Sequence, residues 1–263
     1  MESELDSGLG LPRRVVITGG SSGIGLATAR LFLSHGANVG IIGRDSGRLH
    51  AAATELAQQA PQDGQDRVFE AQADVGNDDE IGPAIDALAG QLGGIDAVIT
   101  AAGIEGEMGA AVPEVTAPSF REVLGVNVVG SFLAIQQALP HLHESAHGSA
   151  VIVGSDSGFV SVPGMLAYNA AKGALVQLTR ALAVELFETH GVRVNSVCPS
   201  IVDTPMARRG LGVESFEDEP YPVQDPADIA WSVAYLTSSR SRAINGVNLL
   251  SDFGYTGKSS FPA

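Results

Sequence analysis

The chain has 263 residues, of which 44% are hydrophobic and 17% charged, a composition that indicates a globular protein with a sizeable core rather than a disordered chain. Its formal net charge of −15 excludes a broad binding surface for nucleic acid or anionic membranes, because both require clustered cations. No run of about 18 apolar residues occurs, so no membrane span is expected.

The N-terminal stretch MESELDSGLGLPRR is acidic and lacks the basic-then-apolar order of a signal peptide. We interpret residues 1–12 as a flexible lead-in and residues 13–263 as a single domain, since no linker or repeat divides them. The single cysteine, Cys198, leaves no partner for an internal disulfide and fits a reducing compartment such as the cytoplasm.

Short Val/Ile-rich segments alternate with amphipathic helical patterns along the chain. The predicted strands are residues 15–17, 38–42, 68–74, 97–100, 150–153, 192–197 and 245–250. The predicted helices are one after the first strand, with Ile24, Ala27, Leu31 and Phe32 on one face, and residues 46–59, 78–92, 118–146, 165–189 and 226–238. Continuous apolar strands are typical of a parallel sheet covered on both faces. The expected fold class is therefore α/β, a Rossmann-like doubly wound parallel sheet of about seven strands with helices on both faces.

One segment interrupts this alternation. Residues 204–226 are charged and weakly periodic, and they contain four prolines. Long irregular segments in compact domains are often lids or binding loops. We therefore predict a substrate lid here, with a poorly ordered surface excursion as the alternative. The pair Arg208–Arg209 within the segment is either solvated or a contact for an acidic substrate.

A glycine-rich loop, T18-G-G-S-S-G-I-G25, follows the first predicted strand and opens into a helix. Glycines let the backbone turn sharply and approach a ligand closely, and a helix N-terminus offers free N–H groups to a pyrophosphate. The spacing is G-x-x-x-G-x-G rather than the commoner G-x-G-x-x-G. The predicted dinucleotide contacts in the loop are Gly19, Ser21, Ser22, Gly23, Ile24 and Gly25.

The end of the second strand bears on the choice between the two nicotinamide cofactors. An acidic residue there binds the ribose hydroxyls of NAD, whereas an arginine pairs with the 2′-phosphate of NADP. This chain has I42-G-R-D45, so Arg44 favours NADP(H). The adjacent Asp45 partly cancels that field and leaves NAD(H) as the alternative.

These motifs, with others further along, give the chain a resemblance to the short-chain dehydrogenase/reductase family over nearly its whole length. The further motifs are Asp74, A101-A-G103, Asn127, Ser155 and Y168-N-A-A-K172, with Ser155 thirteen and Asn127 forty-one residues before Tyr168, as in the family. The resemblance implies an NAD(P)-dependent oxidoreductase that interconverts a small secondary alcohol and a ketone, assembled as a homotetramer or homodimer through the helices of residues 118–146 and 165–189. The alternative from another class is a catalytically silent nucleotide-binding sensor of the same fold.

Tyr168 and Lys172 lie four residues apart, so their side chains share one face of a helix. An ordinary tyrosine has a pKa of about 10, and a nearby ammonium lowers that pKa toward the range useful for proton transfer. We therefore predict Tyr168 as the general acid and base. The resemblance implies that Lys172 also binds the cofactor ribose, that Ser155 holds the substrate oxygen, and that Asn127 supports a proton relay.

The resemblance implies further contacts and shows two departures. The remaining predicted cofactor contacts are Asp74, Val75, Ala102, Gly103, Tyr168, Lys172, Pro199, Val202 and Thr204; the predicted substrate contacts are Ser155, Asp156, Tyr168 and Met206. The family's Asn-Ala-Gly appears here as A101-A-G103, and its Pro-Gly appears as Pro199–Ser200, which puts the local turn in question. No metal is expected, because His143 and His147 lie far in sequence from the other motifs.

Overall fold

Seven parallel strands form one sheet in the computed structural model, which describes residues 8–61 and 65–258. The strands are β1 (Arg14–Thr18), β2 (Asn38–Gly43), β3 (Val68–Gln72), β4 (Ala97–Thr100), β5 (Ser149–Val153), β6 (Arg193–Pro199) and β7 (Asn248–Ser251). Their order in the sheet is β3-β2-β1-β4-β5-β6-β7. The chain therefore reverses its winding direction between β1 and β4, as the predicted doubly wound fold requires.

Eight α-helices connect the strands in the described residues. They are α1 (Gly23–Ser34), α2 (Ser46–Gln59), α3 (Asp78–Leu92), α4 (Ala117–Leu124), α5 (Gly130–His143), α6 (Leu166–His190), α7 (Pro205–Leu211) and α8 (Pro226–Thr237). Polar caps set several boundaries: Asp45 accepts a hydrogen bond from the Arg48 backbone N–H at the start of α2, and Asn77 does the same for α3. Gly191 ends α6 in the left-handed conformation, with φ of 69°.

The two faces of the sheet carry separate apolar cores. Helices α1, α2 and α8 cover one face, where Phe32 packs in the same core as Ile17 of β1. Helices α3, α5 and α6 cover the other face, where Ile85 packs in the same core as Val16. Val16 and Ile17 are neighbours on β1 and point to opposite faces, which explains why the central strands are apolar at consecutive positions.

Most predicted elements are present, and the differences have local causes. The last strand begins at Asn248 rather than at residue 245. Before it, the side chain of Asn245, rather than its backbone, accepts a hydrogen bond from the Val194 backbone N–H of β6. Strand β3 ends at Gln72 rather than at 74. The buried face of α1 is rotated relative to the prediction, so that of the predicted apolar face only Phe32 is fully buried.

Helices α4 and α5 are continuous through a five-residue π-helical turn, Gly125–Val129. The whole stretch Ala117–His143 is, by length and composition, apolar enough to cross a membrane, with a mean hydropathy of 1.4 over its best window. It contains no unbroken apolar run of about 18 residues, because Arg121, Glu122 and the pair Gln136–Gln137 interrupt it. In the fold 44% of that window is buried, and α5 packs against α3 and the sheet.

The segment predicted as a lid contains more structure than its sequence suggested. Helix α7 occupies its first part, capped by the Thr204 hydroxyl, which accepts a hydrogen bond from the Ala207 backbone N–H. Val202 and Gln224 then pair as an isolated parallel bridge, so the two ends of the excursion lie side by side.

Part of the predicted lead-in packs onto the domain. The Ser239 backbone N–H donates to the Gly10 carbonyl, and the Arg240 guanidinium donates to the Gly8 carbonyl. The first seven residues of the lead-in lie outside the described residues.

Candidate active site

A cleft of about 580 Å³ runs along the carboxyl ends of the parallel strands, across the point between β1 and β4 where the winding reverses. Open α/β sheets bind ligands at this position, and the volume lies in the usual range for small-molecule sites. The structure brings all the predicted cofactor contacts to its walls: Gly19, Ser21, Ser22, Gly23, Ile24, Gly25, Arg44, Asp74, Val75, Ala102, Gly103, Tyr168, Lys172, Pro199, Val202 and Thr204. Of the predicted substrate contacts, Ser155, Tyr168 and Met206 also line it.

The glycine loop forms one end of the cleft and needs its glycines. Gly19 has a φ of 69°, and a Cβ there would lie 2.6 Å from the Ala102 backbone nitrogen. Ser22 is the N-cap of α1, but in the described structure its side chain makes no capping bond, and the first turn has no acidic residue. The first-turn N–H groups of α1 therefore remain available to an anion, which fits the pyrophosphate of a dinucleotide.

Three charged side chains line the cleft beyond β2. Asp45 caps α2 and also pairs with the Arg48 guanidinium at 3.1 Å. The hydrogen bond from the Arg48 backbone is the largest of several contacts that lower the pKa of Asp45. Arg44 is exposed, and its guanidinium forms no ion pair within the described residues. The sequence analysis missed Arg48, whose four-residue spacing from Arg44 was a usable signal.

Ser155, Tyr168 and Lys172 converge at the opposite end of the cleft. Ser155 follows the buried strand β5, and its hydroxyl accepts a hydrogen bond from the Ser157 backbone N–H, which caps the short turn Asp156–Gly158. Tyr168 and Lys172 lie in the first two turns of α6. The Lys172 Nζ donates to the Val153 carbonyl at 3.0 Å and lies 5.3 Å from the centroid of the Tyr168 ring.

The pKa of Tyr168 differs in direction from the prediction. Burial raises it to about 12, and the carboxylates of Asp156 and Glu105 add to that rise, while a hydrogen bond with Ser155 opposes it. Burial also lowers the pKa of Lys172 to about 8. The sequence analysis considered the attraction between an ammonium and a phenolate but not the desolvation of both groups, which is the larger effect for each.

Asp156, predicted as a substrate contact, does not line the cleft. Its carboxylate lies beside Ser155, and the Ser155 hydroxyl donates a hydrogen bond to the Asp156 Oδ1 at 3.0 Å. Burial raises the pKa of Asp156, and hydrogen bonds from Ser155 and Ser157 partly oppose the rise. The structure therefore places this carboxylate behind the serine rather than in the cleft.

Asn127 also lies behind the cleft wall and is fully buried. Its Oδ1 accepts a hydrogen bond from the Ile104 backbone N–H at 2.8 Å, and its Nδ2 donates to the Ile104 carbonyl at 3.0 Å. A Cβ at Gly103 would lie 3.2 Å from the Asn127 Oδ1, so the glycine admits this close approach. Asn127 thus fixes the wall A101-A-G-I104 from within the π-helical turn, the distorted region that a mid-helix asparagine favours.

The departure at Ser200 leaves the local turn intact. Phe253 is the single non-glycine residue with positive φ in the described chain, so the position of Ser200 does not require glycine. The Ser200 hydroxyl accepts a hydrogen bond from Gln224 Nε2 at 3.0 Å, and the Ser251 hydroxyl donates to Gln224 Oε1 at 2.8 Å. Serine at this position therefore helps to hold the far end of the lid.

The two adjacent arginines of α7 have different partners. Arg208 forms two hydrogen bonds to the Asp203 carboxylate, at 2.6 and 2.8 Å, and stays outside the cleft. Arg209 lines the cleft and pairs across it with Glu105 at 3.2 Å. Glu105, which the sequence analysis missed, directly follows the wall held by Asn127.

Comparisons with known proteins give a consistent family. A sequence-family model described as enoyl-(acyl carrier protein) reductase matches residues 19–256. The 2-(R)-hydroxypropyl-CoM dehydrogenase of Xanthobacter autotrophicus is 34% identical over 254 residues, covering 94% of this chain and 99% of that protein. A short-chain type dehydrogenase/reductase from Mycobacterium ulcerans superimposes with a TM-score of 0.85 at 26% identity, covering 94% and 90% of the two chains. The 3-ketoacyl-(acyl-carrier-protein) reductase of Brucella melitensis, complexed with NADH, gives 0.81 at 29% identity, covering 92% and 97%.

Proposed function

The chain belongs to the short-chain dehydrogenase/reductase family and is an oxidoreductase of alcohols or ketones. On that premise we propose that it uses a nicotinamide cofactor, NADP(H) in preference to NAD(H), and that Tyr168 is its general acid and base. One observation carries the proposal. The Ser155, Tyr168 and Lys172 side chains converge at one end of a cleft whose other end is the open N-terminus of α1. This arrangement puts proton-transfer groups where a dinucleotide anchored at α1 would end.

When bound, the nicotinamide ring supplies the hydride chemistry that protein side chains lack. Tyr168 gives its phenolic proton to the carbonyl oxygen during reduction and takes the hydroxyl proton during oxidation. Ser155 steadies the substrate oxygen, and Asn127 keeps the opposite wall in place through Ile104. Lys172, with its pKa lowered to about 8, holds an exchangeable proton beside Tyr168 and contacts the cofactor ribose.

The NADP preference rests on charge at the adenosine end of the cleft. The Arg44 guanidinium forms no ion pair within the described residues, while Asp45 is engaged with Arg48 and with the start of α2. A carboxylate held in this way is a poor acceptor for ribose hydroxyls, which weakens the case for NAD. We assign Asp74 to the adenine and Val202 and Thr204 to the nicotinamide; all three line the cleft.

We further propose that the substrate is a small secondary alcohol or its ketone, bound between residues 154–165 and the lid near Met206. By name, one relative is a dehydrogenase of 2-(R)-hydroxypropyl-CoM and one structural neighbour is a 3-ketoacyl-(acyl-carrier-protein) reductase. The substrates in these two names have a secondary alcohol or a ketone at the reacting carbon. The preference for NADPH favours ketone reduction as the physiological direction.

A homotetramer or homodimer is the assembly we propose. Val129, Val184 and Phe187 are exposed by 44%, 61% and 48% on the helices predicted to form an interface. Apolar side chains in such number on one pair of helices favour contact with another copy. The buried thiol of Cys198 is compatible with a cytoplasmic location.

Substitution of Tyr168 by Phe tests the assignment of the acid and base. Turnover of a ketone panel with NADPH is expected to fall about 10²- to 10⁴-fold, while the Kd for NADP⁺ changes by less than about threefold, because only the phenolic hydroxyl is lost. Tyr235→Phe removes the same group from an exposed tyrosine on α8 and serves as the matched control. Unchanged turnover in Tyr168→Phe contradicts the proposal. A native protein that binds NADP⁺ but turns over no alcohol or ketone favours the sensor alternative.

A further inference from the structure

An ion pair crosses the cleft beside the proposed acid and base. Glu105 directly follows the wall segment that Asn127 holds, and Arg209 lies on α7 of the lid. The Arg209 Nη2 and the Glu105 Oε1 are 3.2 Å apart, and both side chains line the cleft. The charge of Glu105 acts on the phenol of Tyr168, so the pair stands on the Tyr168 side of the cleft.

The loop of residues 105–109 lies between the two segments proposed to enclose the substrate. The Gly109 backbone N–H donates to the Gly164 carbonyl at 2.9 Å, which joins the loop to the segment that follows β5. On the other side, a Cβ at Gly210 of α7 would lie 3.3 Å from the Met108 Cε, so the loop also packs against the lid. A substrate held between these two segments therefore meets the ion pair.

The two partners of the pair differ in burial, and this difference decides which of them can be released. The side chain of Arg209 is 60% exposed and that of Glu105 is 21% exposed. A guanidinium so exposed exchanges its partner for water at little cost, whereas a largely buried carboxylate is costly to leave unpaired. An acidic substrate that draws Arg209 away leaves Glu105 in this unfavourable state and adds a second negative charge beside it.

The other cations near the described cleft are engaged or distant. Arg208 is adjacent in sequence, but both of its hydrogen bonds go to the Asp203 carboxylate and it stays outside the cleft. Lys172 is buried and donates to a backbone carbonyl of β5. The two arginines beyond β2 line the end of the cleft opposite Tyr168. An acidic substrate therefore finds no spare cation beside the reacting groups.

We propose that Glu105, kept paired by Arg209, determines the charge class of the substrate: the site takes uncharged alcohols and ketones and rejects those with an acidic group near the reacting carbon. This inference deepens the proposed function and rests on it, because it specifies the substrate of the same site. The charge of Glu105 acts on Tyr168 whatever the substrate. Its effect on specificity therefore appears in the ratio between an acidic substrate and its uncharged analogue.

The test compares ketones that differ only in charge, levulinate with levulinamide and acetoacetate with acetoacetamide. With NADPH or NADH, whichever binds more tightly, the native protein is expected to reduce each amide at least about tenfold more efficiently in kcat/KM than the acid. Glu105→Gln keeps the side-chain length, removes the charge and frees Arg209 for the carboxylate. In this variant the acid-to-amide ratio is expected to rise at least about tenfold, mainly through a lower KM for the acid. The amide is the internal control for folding, because a misfolded variant loses both activities.

Matched variants separate the pair from the general charge of the surface. Glu107 lies in the same loop, is exposed and does not line the cleft, so Glu107→Gln is expected to change the ratio by less than about twofold. Arg209→Gln is expected to lower the ratio, because Glu105 loses its compensating cation. Adding Arg209→Gln to Glu105→Gln is expected to reduce the gain of the single variant at least about threefold, since the freed cation is gone.

The inference is overturned by an unchanged ratio in Glu105→Gln, by an equal rise in Glu107→Gln, by a native preference for the acids, or by a gain that survives the loss of Arg209 undiminished. The same ratios are obtained without turnover from the affinities of the four compounds for Tyr168→Phe with its reduced cofactor, followed by cofactor fluorescence. A failure of Tyr168 as the acid and base, which turnover reveals, therefore leaves this test standing. Failure of all four compounds to bind that complex also overturns the inference.

Discussion

Replacing Arg44 with Ala is expected to weaken NADP⁺ binding and to leave NAD⁺ binding nearly unchanged. The two cofactors differ by the 2′-phosphate, and within the described cleft lining Arg44 is the arginine beyond β2 that forms no ion pair. Arg48 provides the matched control, because it lies on the same side of the cleft but is held by Asp45 at 3.1 Å.

The expected size of the effect follows from this exposure. A hydrogen bond from a guanidinium to a phosphate is worth about 1.5–3 kcal/mol. Arg44 is solvent-exposed, so solvent and salt screen part of this energy. We therefore expect a loss of about 1.5 kcal/mol, or about tenfold in Kd for NADP⁺, and less than about twofold for NAD⁺.

Calorimetric titration of both cofactors into both variants, at low and moderate salt, measures these differences. The loss in Arg44→Ala is expected to shrink as salt rises, because the interaction is exposed. Arg48→Ala is expected to change Kd by less than about threefold, since its charge is already neutralised. An equal loss for NADP⁺ and NAD⁺ in Arg44→Ala refutes the assignment, as does a loss in Arg48→Ala as large as that in Arg44→Ala. A native protein that binds NAD⁺ more tightly refutes the NADP preference itself.

Three further changes test the energetics of the fold around the site. Lys172→Met is expected to abolish turnover yet raise the free energy of unfolding by up to about 3 kcal/mol below pH 8, because burial lowers the pKa of Lys172 from 10.5 to about 8. Between pH 8 and pH 10.5 the unfolded wild-type protein binds more protons than the folded protein, so urea unfolding should show the stability gain of the variant disappearing over this range. Asp96→Asn should cost about 2 kcal/mol at neutral pH in the same assay. Burial raises the pKa of Asp96, but hydrogen bonds from Arg14 and Ser145 outweigh this effect and hold the pKa below its usual value. The contribution of Asp96 to the free energy of unfolding is therefore present above about pH 4 and is lost as the pH falls through the pKa of Asp96 in the folded state. The Asp96→Asn variant should lack this acid dependence. Gly154→Ala should lower the free energy of unfolding by about 1–3 kcal/mol, since the new Cβ would lie 2.7 Å from the Cys198 Sγ. Adding Cys198→Ala should restore part of this loss; if it restores none, the clash with Cys198 is not the cause.

The strands of the sheet and most helix boundaries could be predicted from the sequence because they depend on local patterns of residues. Helices α2 and α3 begin and end where predicted, since Asp45 and Asn77 cap them and Gly93 ends α3. Helix α7 was missed because prolines and charges dominated the interpretation of its segment, although Thr204 before a proline is a usable start signal.

The proposed cofactor contacts could be placed from sequence because the carboxyl ends of parallel strands meet at one edge of the sheet. Pairings between distant residues could not be placed in this way. Glu105 and Arg209 are brought together by the path of the lid, and the rise in the pKa of Tyr168 depends on burial that no local pattern records. Asp156 shows the same limit, since its sequence neighbourhood did not reveal which way its carboxylate points.

The bridge between Val202 and Gln224 has a consequence for how this protein can change. It closes residues 203–223 into a loop whose two ends are held together by this isolated bridge, with Gln224 further anchored by Ser200 and Ser251. Each doubling of the length of a closed loop costs only about 0.6 kcal/mol in closure entropy. Loops of other lengths and compositions can therefore be grafted between these two points without disturbing the strands that carry Ser155 and the glycine loop. Under the proposed function, the part of the lid beyond Thr204 can be re-engineered for substrate recognition while the groups proposed for proton and hydride transfer are kept.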